Sequence, residues 1–189
     1  MDTKIRCRWC GSDELYQTYH DLEWGIPEHR DEALFELLIL EGFQAGLSWI
    51  TILKRREAFR EAFAQFDYHV LSNWTDTQLE AQMQNEQIIR NRLKISSVRT
   101  NALAFIKIQE KFGSFNHYIW EFVGHTPILN KFAHHGELPA STEISELLSK
   151  SLKRNGFRFV GPTICYALMQ AAGLVNDHTT ECFRHPNNC

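Results

Sequence analysis

Apolar residues recur at helical spacing along most of this chain, and glycines and capping residues mark the breaks between the periodic runs. After Asp31, a candidate N-cap, Leu34, Leu37, Leu38 and Glu41 fall at i, i+3, i+4 and i+7, so one helix face carries three leucines and a carboxylate. Gly42 and Gly46 are expected to bracket a turn after it. Ser48 or Thr51 can cap a second helix, in which Ile52, Phe59, Phe63 and Phe66 ride over the charged run Lys54, Arg55, Arg56 and Glu57. Thr75 with Gln78, or Thr77 with Glu80, makes a capping box for a third. Ile95, Val98, Ala102, Leu103 and Ile106 predict a long helix ending near Gly113, and Ser114 starts another through Tyr118, Ile119 and Phe122. No run alternates as a half-buried strand does. The pattern predicts an all-α protein.

Farther on, Thr142 opens a helix that passes Leu147, Leu148 and Leu152 and stops at Asn155 and Gly156. A tight segment from Phe157 to Gly161 leads to Pro162, whose fixed φ suits the first turn of a new helix through Ile164, Leu168 and Met169 to Gly173. Residues from about 142 to 173 therefore form a helix, a hairpin and a helix. Gly156 and Gly161 flank the apolar pivot at Val160, where backbone N–H groups can approach an anion, and the second helix begins with its positive dipole end beside them. Lys153, Arg154 and Arg158 add local positive charge. A phosphate suits this place; the plainer alternative is an ordinary helical hairpin with solvated basic residues.

Composition narrows the picture. With 189 residues, 43% hydrophobic and 23% charged, the chain can bury one good core or two small lobes sharing a cleft. A net charge of −3 argues against coating nucleic acid by bulk electrostatics and leaves a local basic patch as the route to DNA. No segment has signal-peptide or membrane-spanning character, which predicts a cytoplasmic protein. Five cysteines make no dense disulfide framework, and clustered Cys and His in a reducing compartment point to a metal.

Most of these ligand types sit at the two ends: Cys7, Cys10 and His20 near the start, His178, Cys182, His185 and Cys189 at the finish. His178 and Cys182 are one helical turn apart and Cys7 with Cys10 has knuckle spacing. A tetrahedral zinc site can thus form from Cys7, Cys10, His178 and Cys182, or can use His20. Spacing does not choose between them, and buried thiols with scattered imidazoles are the alternative. Cys165, between Ile164 and Tyr166, is simplest as a core thiol. Trp9, Tyr16, Tyr19 and Trp24 crowd the N-terminal segment, and Trp49 follows Glu41. Such rings stack on flat ligands and attract positive charge, and a buried carboxylate accepts from an exocyclic amine or a protonated ring nitrogen. Glu41 on a leucine face is costly unless paired, so the competing account is a core glutamate satisfied by backbone amides or an arginine. No P-loop, dinucleotide fingerprint or Ser-His-Asp set is present.

The runs Tyr19 to Pro27 (YHDLEWGIP), Leu40 to Thr51 (LEGFQAGLSWIT) and Gly156 to Tyr166 (GFRFVGPTICY), with Leu174 to His178 (LVNDH) and Cys182, closely resemble the DNA-3-methyladenine glycosylase I family over nearly the whole chain. The resemblance implies a two-lobed helix-hairpin-helix DNA glycosylase fold in a single domain, 1–189, with one structural zinc joining the N- and C-terminal segments. It takes Cys7, His20, His178 and Cys182 as ligands and makes Cys10, His185 and Cys189 bystanders, with Cys10 a rival to His20. Glu41 becomes the group that reads the adenine edge and polarises the base. Tyr19 and Trp49 stack on it, Tyr16 and Trp9 line the site, and Gly46 and Leu47 fill the gap left in the duplex. Gly156, Val160, Gly161, Lys153 and Arg158 hold the DNA backbone. The implied partners are double-stranded DNA containing 3-methyladenine and the free base as product, for a monomeric, membrane-free protein of the bacterial cytoplasm and nucleoid.

Such an enzyme must rotate its target out of the stack. Asn176 stands where related glycosylases carry a catalytic aspartate, and Pro162 and Thr163 occupy the stretch where bifunctional relatives carry a lysine. The expectation is a monofunctional hydrolase that leaves an abasic site in base excision repair, with Asp177 a candidate general base. Two other classes compete: a zinc-stabilised DNA-binding module without catalysis, and a binding protein for cationic aromatic molecules.

Overall fold

A computed structural model describes residues 4–188. Its helices are α1 (Glu14–Leu22), α2 (Asp31–Gln44), α3 (Trp49–Leu53), α4 (Arg56–Ala62), α5 (Tyr68–Ser72), α6 (Asp76–Ala81), α7 (Arg92–Phe112), α8 (Phe115–Trp120), α9 (Glu143–Arg154) and α10 (Pro162–Ala171), with short 3-10 turns between them. Sequence periodicity predicts no strands, yet β1 (Ile128–Leu129) and β2 (Val175–Asn176) pair in parallel. Two residues per strand are too few to show an alternation.

Several caps stand where the sequence puts them. Thr75 and Gln78 form the capping box of α6, Ser114 caps α8, Thr142 caps α9 with Ser145 completing the box, and Pro162 is the first residue of α10. The long helix ends at Gly113, whose φ of +86° is a left-handed stop.

Other expectations need correction. Asp31 does not cap its own helix: it lies in the first turn of α2, and its carboxylate accepts from the amides of Phe115 (2.9 Å) and Asn116 (2.7 Å) at the start of α8. Gly42 is not in a turn but inside α2, leaving the turn to Gly46 at φ +85°. Ser48 precedes α3, but its hydroxyl pairs with that of Thr51 instead of a backbone amide. The single phenylalanine-bearing second helix is broken into α3 and α4, and then by Ala64, Gln65 and Phe66, all at positive φ. Its inward residues Ile52, Phe59, Phe63 and Phe66 stay buried through the breaks, so burial decides their side and not helix continuity. Leu103 is exposed, since the buried stripe of α7 runs through Ile95, Val98, Ala102, Phe105 and Ile108.

Helix α2 is buried on nearly every side and packs against both α7 and α10. Phe105 of α7 links it to the rest of the core, with ring centroids 5.0 Å from Phe35 on α2 and 4.3 Å from Phe115 on α8. The hairpin between α9 and α10 docks on the same pair. Asn101 of α7 grips the backbone of Arg158 from both sides, accepting from its N–H at 2.8 Å and donating to its carbonyl at 3.2 Å. Phe159, at φ +56°, lies against Gly42, where a Cβ would stand 3.4 Å from it. Glu41 and Gly42 are consecutive, so the helix turn that carries the buried carboxyl also seats the hairpin.

The N-terminal segment closes over the end of α10. Gly25 donates to the carbonyl of Gln170 and Glu28 to that of Ala172, both at 3.0 Å. The approach needs Gly173, at φ +70°, where a Cβ would lie 2.3 Å from the backbone of Ile26.

Candidate functional site

A cavity of about 210 Å³ opens between these elements. One wall comes from Trp9, in a 3-10 turn (Arg8–Cys10), and from Tyr16 and Tyr19 on one face of α1. Trp24 and Trp49 continue the aromatic lining. The rings brace one another, with centroids 4.8 Å apart for Trp9 and Tyr16, 4.9 Å for Trp9 and Trp24, and 5.4 Å for Tyr19 and Trp49. Glu41 and Gln44 form the α2 wall, Ala167 and Gln170 the α10 wall, and His135 and Leu138 reach in from the loop after β1. The volume is below the roughly 300–1,000 Å³ of drug-sized sites and suits a single small planar group.

Glu41 is 3% exposed, and its Oε2 has no hydrogen-bond partner among the described residues. The indole nitrogens of Trp9 and Trp49 are buried and unpaired in the same way. The competing account of a core glutamate held by backbone amides or an arginine therefore fails for this oxygen. Burial pushes the Glu41 carboxyl up to about 8. Burial, and then the nearby Glu41, hold Tyr19 well above the usual phenol range, and burial, then Cys10 and Glu41, push Tyr16 up to about 12. Unpaired polar atoms are rare in native interiors, and three on residues that line one cavity mark a place suited to a ligand with donors, acceptors and an aromatic face.

Behind this cavity Cys7, His20, His178 and Cys182 bring their ligand atoms within 4.8 Å of one another, all buried. The sulfur of Cys7 lies 3.6 Å from His178 Nδ1, and that of Cys182 lies 3.4 Å from His20 Nε2 and 3.5 Å from His178 Nδ1. The outer ring nitrogens are engaged: His20 Nδ1 with Asp21 at 2.8 Å, itself gripped by Arg6, and His178 Nε2 with the Trp24 carbonyl at 3.1 Å. Those contacts leave the inner nitrogens as acceptors, as metal-binding histidines require. Backbone amides of Thr179 and Arg184 donate to the two sulfurs, each at 3.4 Å. The thiols titrate as a pair, Cys182 drawn toward thiolate by Cys7 and the two imidazoles while Cys7 is pushed up. The cluster can hold a metal ion. Cys10, the rival, is buried but turned away, its thiol donating to the Cys7 carbonyl. His185 is buried outside the cluster, and Cys189 lies outside the described residues. The three-membered group His117, Glu121 and His125 is exposed throughout, unlike this one.

Trp24 joins the two sites: its carbonyl holds His178, its ring lies 4.7 Å from the His178 ring, and it lines the cavity. The hairpin and turn residues lie as follows in the fold. Gly156 has φ +93°, and Lys153 and Arg158 are exposed. The Val160 side chain is buried and its carbonyl accepts from the Ser149 hydroxyl. Gly46 has open space around it, and Leu47 is 41% exposed. Lys94, which the sequence pattern does not single out, donates to the carbonyls of Phe43 and Ala45 and so fixes the C-terminus of α2 just before that turn. Gln44, His135, Leu138, Ala167 and Gln170 are the other lining residues that periodicity misses; their signal is tertiary.

Hairpin, cleft and aromatic cavity with one buried carboxyl define a helix-hairpin-helix glycosylase architecture. Among known proteins, the model of the methyladenine glycosylase family matches residues 9–185. The chain is 48% identical over 177 residues to the DNA-3-methyladenine glycosylase of Haemophilus influenzae, covering 94% of this chain and 96% of that protein. A crystal structure of 3-methyladenine DNA glycosylase I superposes with a TM-score of 0.94 at 48% identity, covering 96% of this chain and 100% of the other. A variant of such an enzyme in complex with 3-methyladenine gives 0.93 at 34% identity, with 96% and 97% covered. The chain belongs to the methyladenine glycosylase family.

Proposed function

We propose that this protein is a monofunctional DNA glycosylase that rotates 3-methyladenine out of alkylated duplex DNA and hydrolyses its N-glycosidic bond, leaving an abasic site for base excision repair. The observation that carries this function is the cavity in which a carboxyl oxygen and two indole N–H groups lie unpaired among aromatic rings. A base methylated at N3 is cationic and already weakly held by its sugar. Tyr19 and Trp49 stack on it, Tyr16 and Trp9 line its rim, and Glu41 accepts from its edge. Holding the cation gives selectivity, because ground-state binding alone does not raise the rate. The bond to the sugar breaks with its electron pair on the base, which leaves neutral, and a water oxygen joins the sugar carbon with loss of a proton. Asn176 is uncharged, and Pro162 and Thr163 offer no amine for a Schiff base, so the strand stays whole. Chromatography of bases released from methylated duplex DNA should show 3-methyladenine and leave alkali-labile sites. DNA binding without release would instead support a binding module, and base binding without DNA binding a small-molecule carrier.

The two helical lobes act as one domain around the cleft. Gly156, Val160, Gly161, Lys153 and Arg158 hold the DNA backbone, while Gly46 and Leu47 enter the space the base vacates. Replacing Lys153 and Arg158 by alanine should lower the slope of log affinity against log salt by about 0.9 per lost phosphate contact, with base preference unchanged. An unaltered slope would reject this docking.

The ion suited to the Cys7, His20, His178 and Cys182 cluster is zinc, in a structural role, one per chain. Tetrahedral zinc, with bonds of roughly 2.3 Å to sulfur and 2.0–2.1 Å to nitrogen, separates neighbouring S and N ligands by about 3.5 Å. Three of the four S to N distances here are 3.6, 3.4 and 3.5 Å, and all four ligand atoms lie within 4.8 Å of one another. No helix among the described residues is long and apolar enough to cross a membrane. The Haemophilus influenzae relative is bacterial, in keeping with an enzyme that works on nucleoid DNA in a bacterial cytoplasm; the protein acts there as a monomer.

A further inference from the structure

Asp177 is 1% exposed and surrounded by donors. Its Oδ2 accepts from the Tyr166 hydroxyl at 2.6 Å and from Gln170 Nε2 at 2.7 Å, and its Oδ1 accepts from Asn130 Nδ2 at 2.7 Å. So fully engaged a carboxylate, away from the cavity lining, is not placed to activate water. Its link to the site is Gln170, which lines the base cavity opposite the aromatic wall. A carboxylate accepts and does not donate, so the Gln170 carboxamide can turn only its nitrogen toward Asp177 and must leave its oxygen outward.

We infer that Gln170 is a specificity-determining residue for the base, its carboxamide oxygen a fixed acceptor for the exocyclic amine of a 6-aminopurine, and that Asp177 is the positioning residue that fixes it. The inference rests on the proposed base-binding role of the cavity. A 6-oxopurine would set a carbonyl oxygen against Gln170 Oε1, two acceptors facing with no proton between them, so the same contact that favours one base disfavours the other. The Tyr166 and Asn130 contacts are what keep Asp177 from turning away.

Tryptophan fluorescence titrations with 3-methyladenine and with 3-methylhypoxanthine test this, using wild type, Gln170→Ala, Asp177→Asn and the double variant. Gln170→Ala should weaken 3-methyladenine binding about tenfold, the worth of one hydrogen bond, and narrow its preference over the oxo base. Asp177→Asn should reproduce that loss, because asparagine also offers donors and frees the carboxamide to flip, and the double variant should lose no more than Gln170→Ala alone. Unchanged preference in Gln170→Ala overturns the inference, and so does a lower melting temperature in Asp177→Asn with discrimination intact. If Asp177→Asn does not fold, Gln170→Ala decides alone. A wild-type protein that binds neither base would sink the cavity's role as well, whereas binding of both bases with equal affinity would sink only the part given to Gln170.

Discussion

Glu41→Gln should reduce kcat/KM on methylated DNA by roughly 2- to 30-fold, mainly through KM, and should make the protein more stable at neutral pH. The affinity loss follows from exchanging a hydrogen bond to a charged group, worth about 1.5–3 kcal/mol, for a neutral one of about 1 kcal/mol or less. The stability gain follows from burial, which raises the carboxyl from an ordinary 4.5 to about 8. A raised carboxyl binds its proton more tightly folded than unfolded, so the associated stability is whole below pH 4.5 and is lost as pH climbs to about 8. Glutamine is the protonated form's isostere and escapes that loss, so the gap between variant and wild type should open by up to roughly 1.4 kcal/mol per pH unit across that window. Binding runs the other way. A cation beside Glu41 favours the carboxylate, so wild-type affinity for the lesion should rise with pH to about 8 and then level, while the variant stays flat. Melting curves and kinetics over this range check both arms, and a wild-type binding profile indifferent to pH would remove Glu41 from the contact.

Cys182→Ser should lose the metal ion and lower the melting temperature by on the order of 10–20 °C. Loss of a metal site belongs to the few mechanisms that cost about 4–5 kcal/mol, and 1 kcal/mol shifts a domain of this length by roughly 2–4 °C. Base affinity should fall too, because Trp24 belongs to both sites, packing on His178 and lining the cavity. Cys10→Ser is the informative contrast: its thiol only donates to the Cys7 carbonyl, so the ion should stay. Elemental analysis with calorimetry settles the matter, and a Cys182→Ser protein with its full complement of zinc would move the site elsewhere.

Local chemistry was readable wherever a residue acts on its own neighbours. The boxes at Thr75 and Thr142, the stop at Gly113 and Pro162 at the head of α10 all answer to groups within four residues, so periodicity and capping rules suffice. Asp31 defeated the same rules because its partners are the amides of Phe115 and Asn116, far along the chain. The kink at Ala64 to Phe66 carries no glycine to announce it; three ordinary residues accept left-handed backbone because the phenylalanines around them are buried. For the site, Glu41 stood out as a lone acid among leucines, but Gln170, Gln44 and His135 look unremarkable until α2, α10 and the loop after β1 come together. Spacing could not rank Cys10 against His20, since both lie within reach of Cys7; the direction in which the Cys10 thiol points does.

The cluster of Cys7, His20, His178 and Cys182 also sets an order of events during synthesis. Cys7 and His178 are 171 residues apart. At roughly 5–20 residues per second, translation leaves the first half waiting on the order of 10–30 s for the second. Throughout that interval the nascent chain carries Cys7, Cys10 and His20 without His178 and Cys182, so the Cys7-x-x-Cys10 pair can oxidise or take up a stray ion before the second half of the cluster arrives to close it.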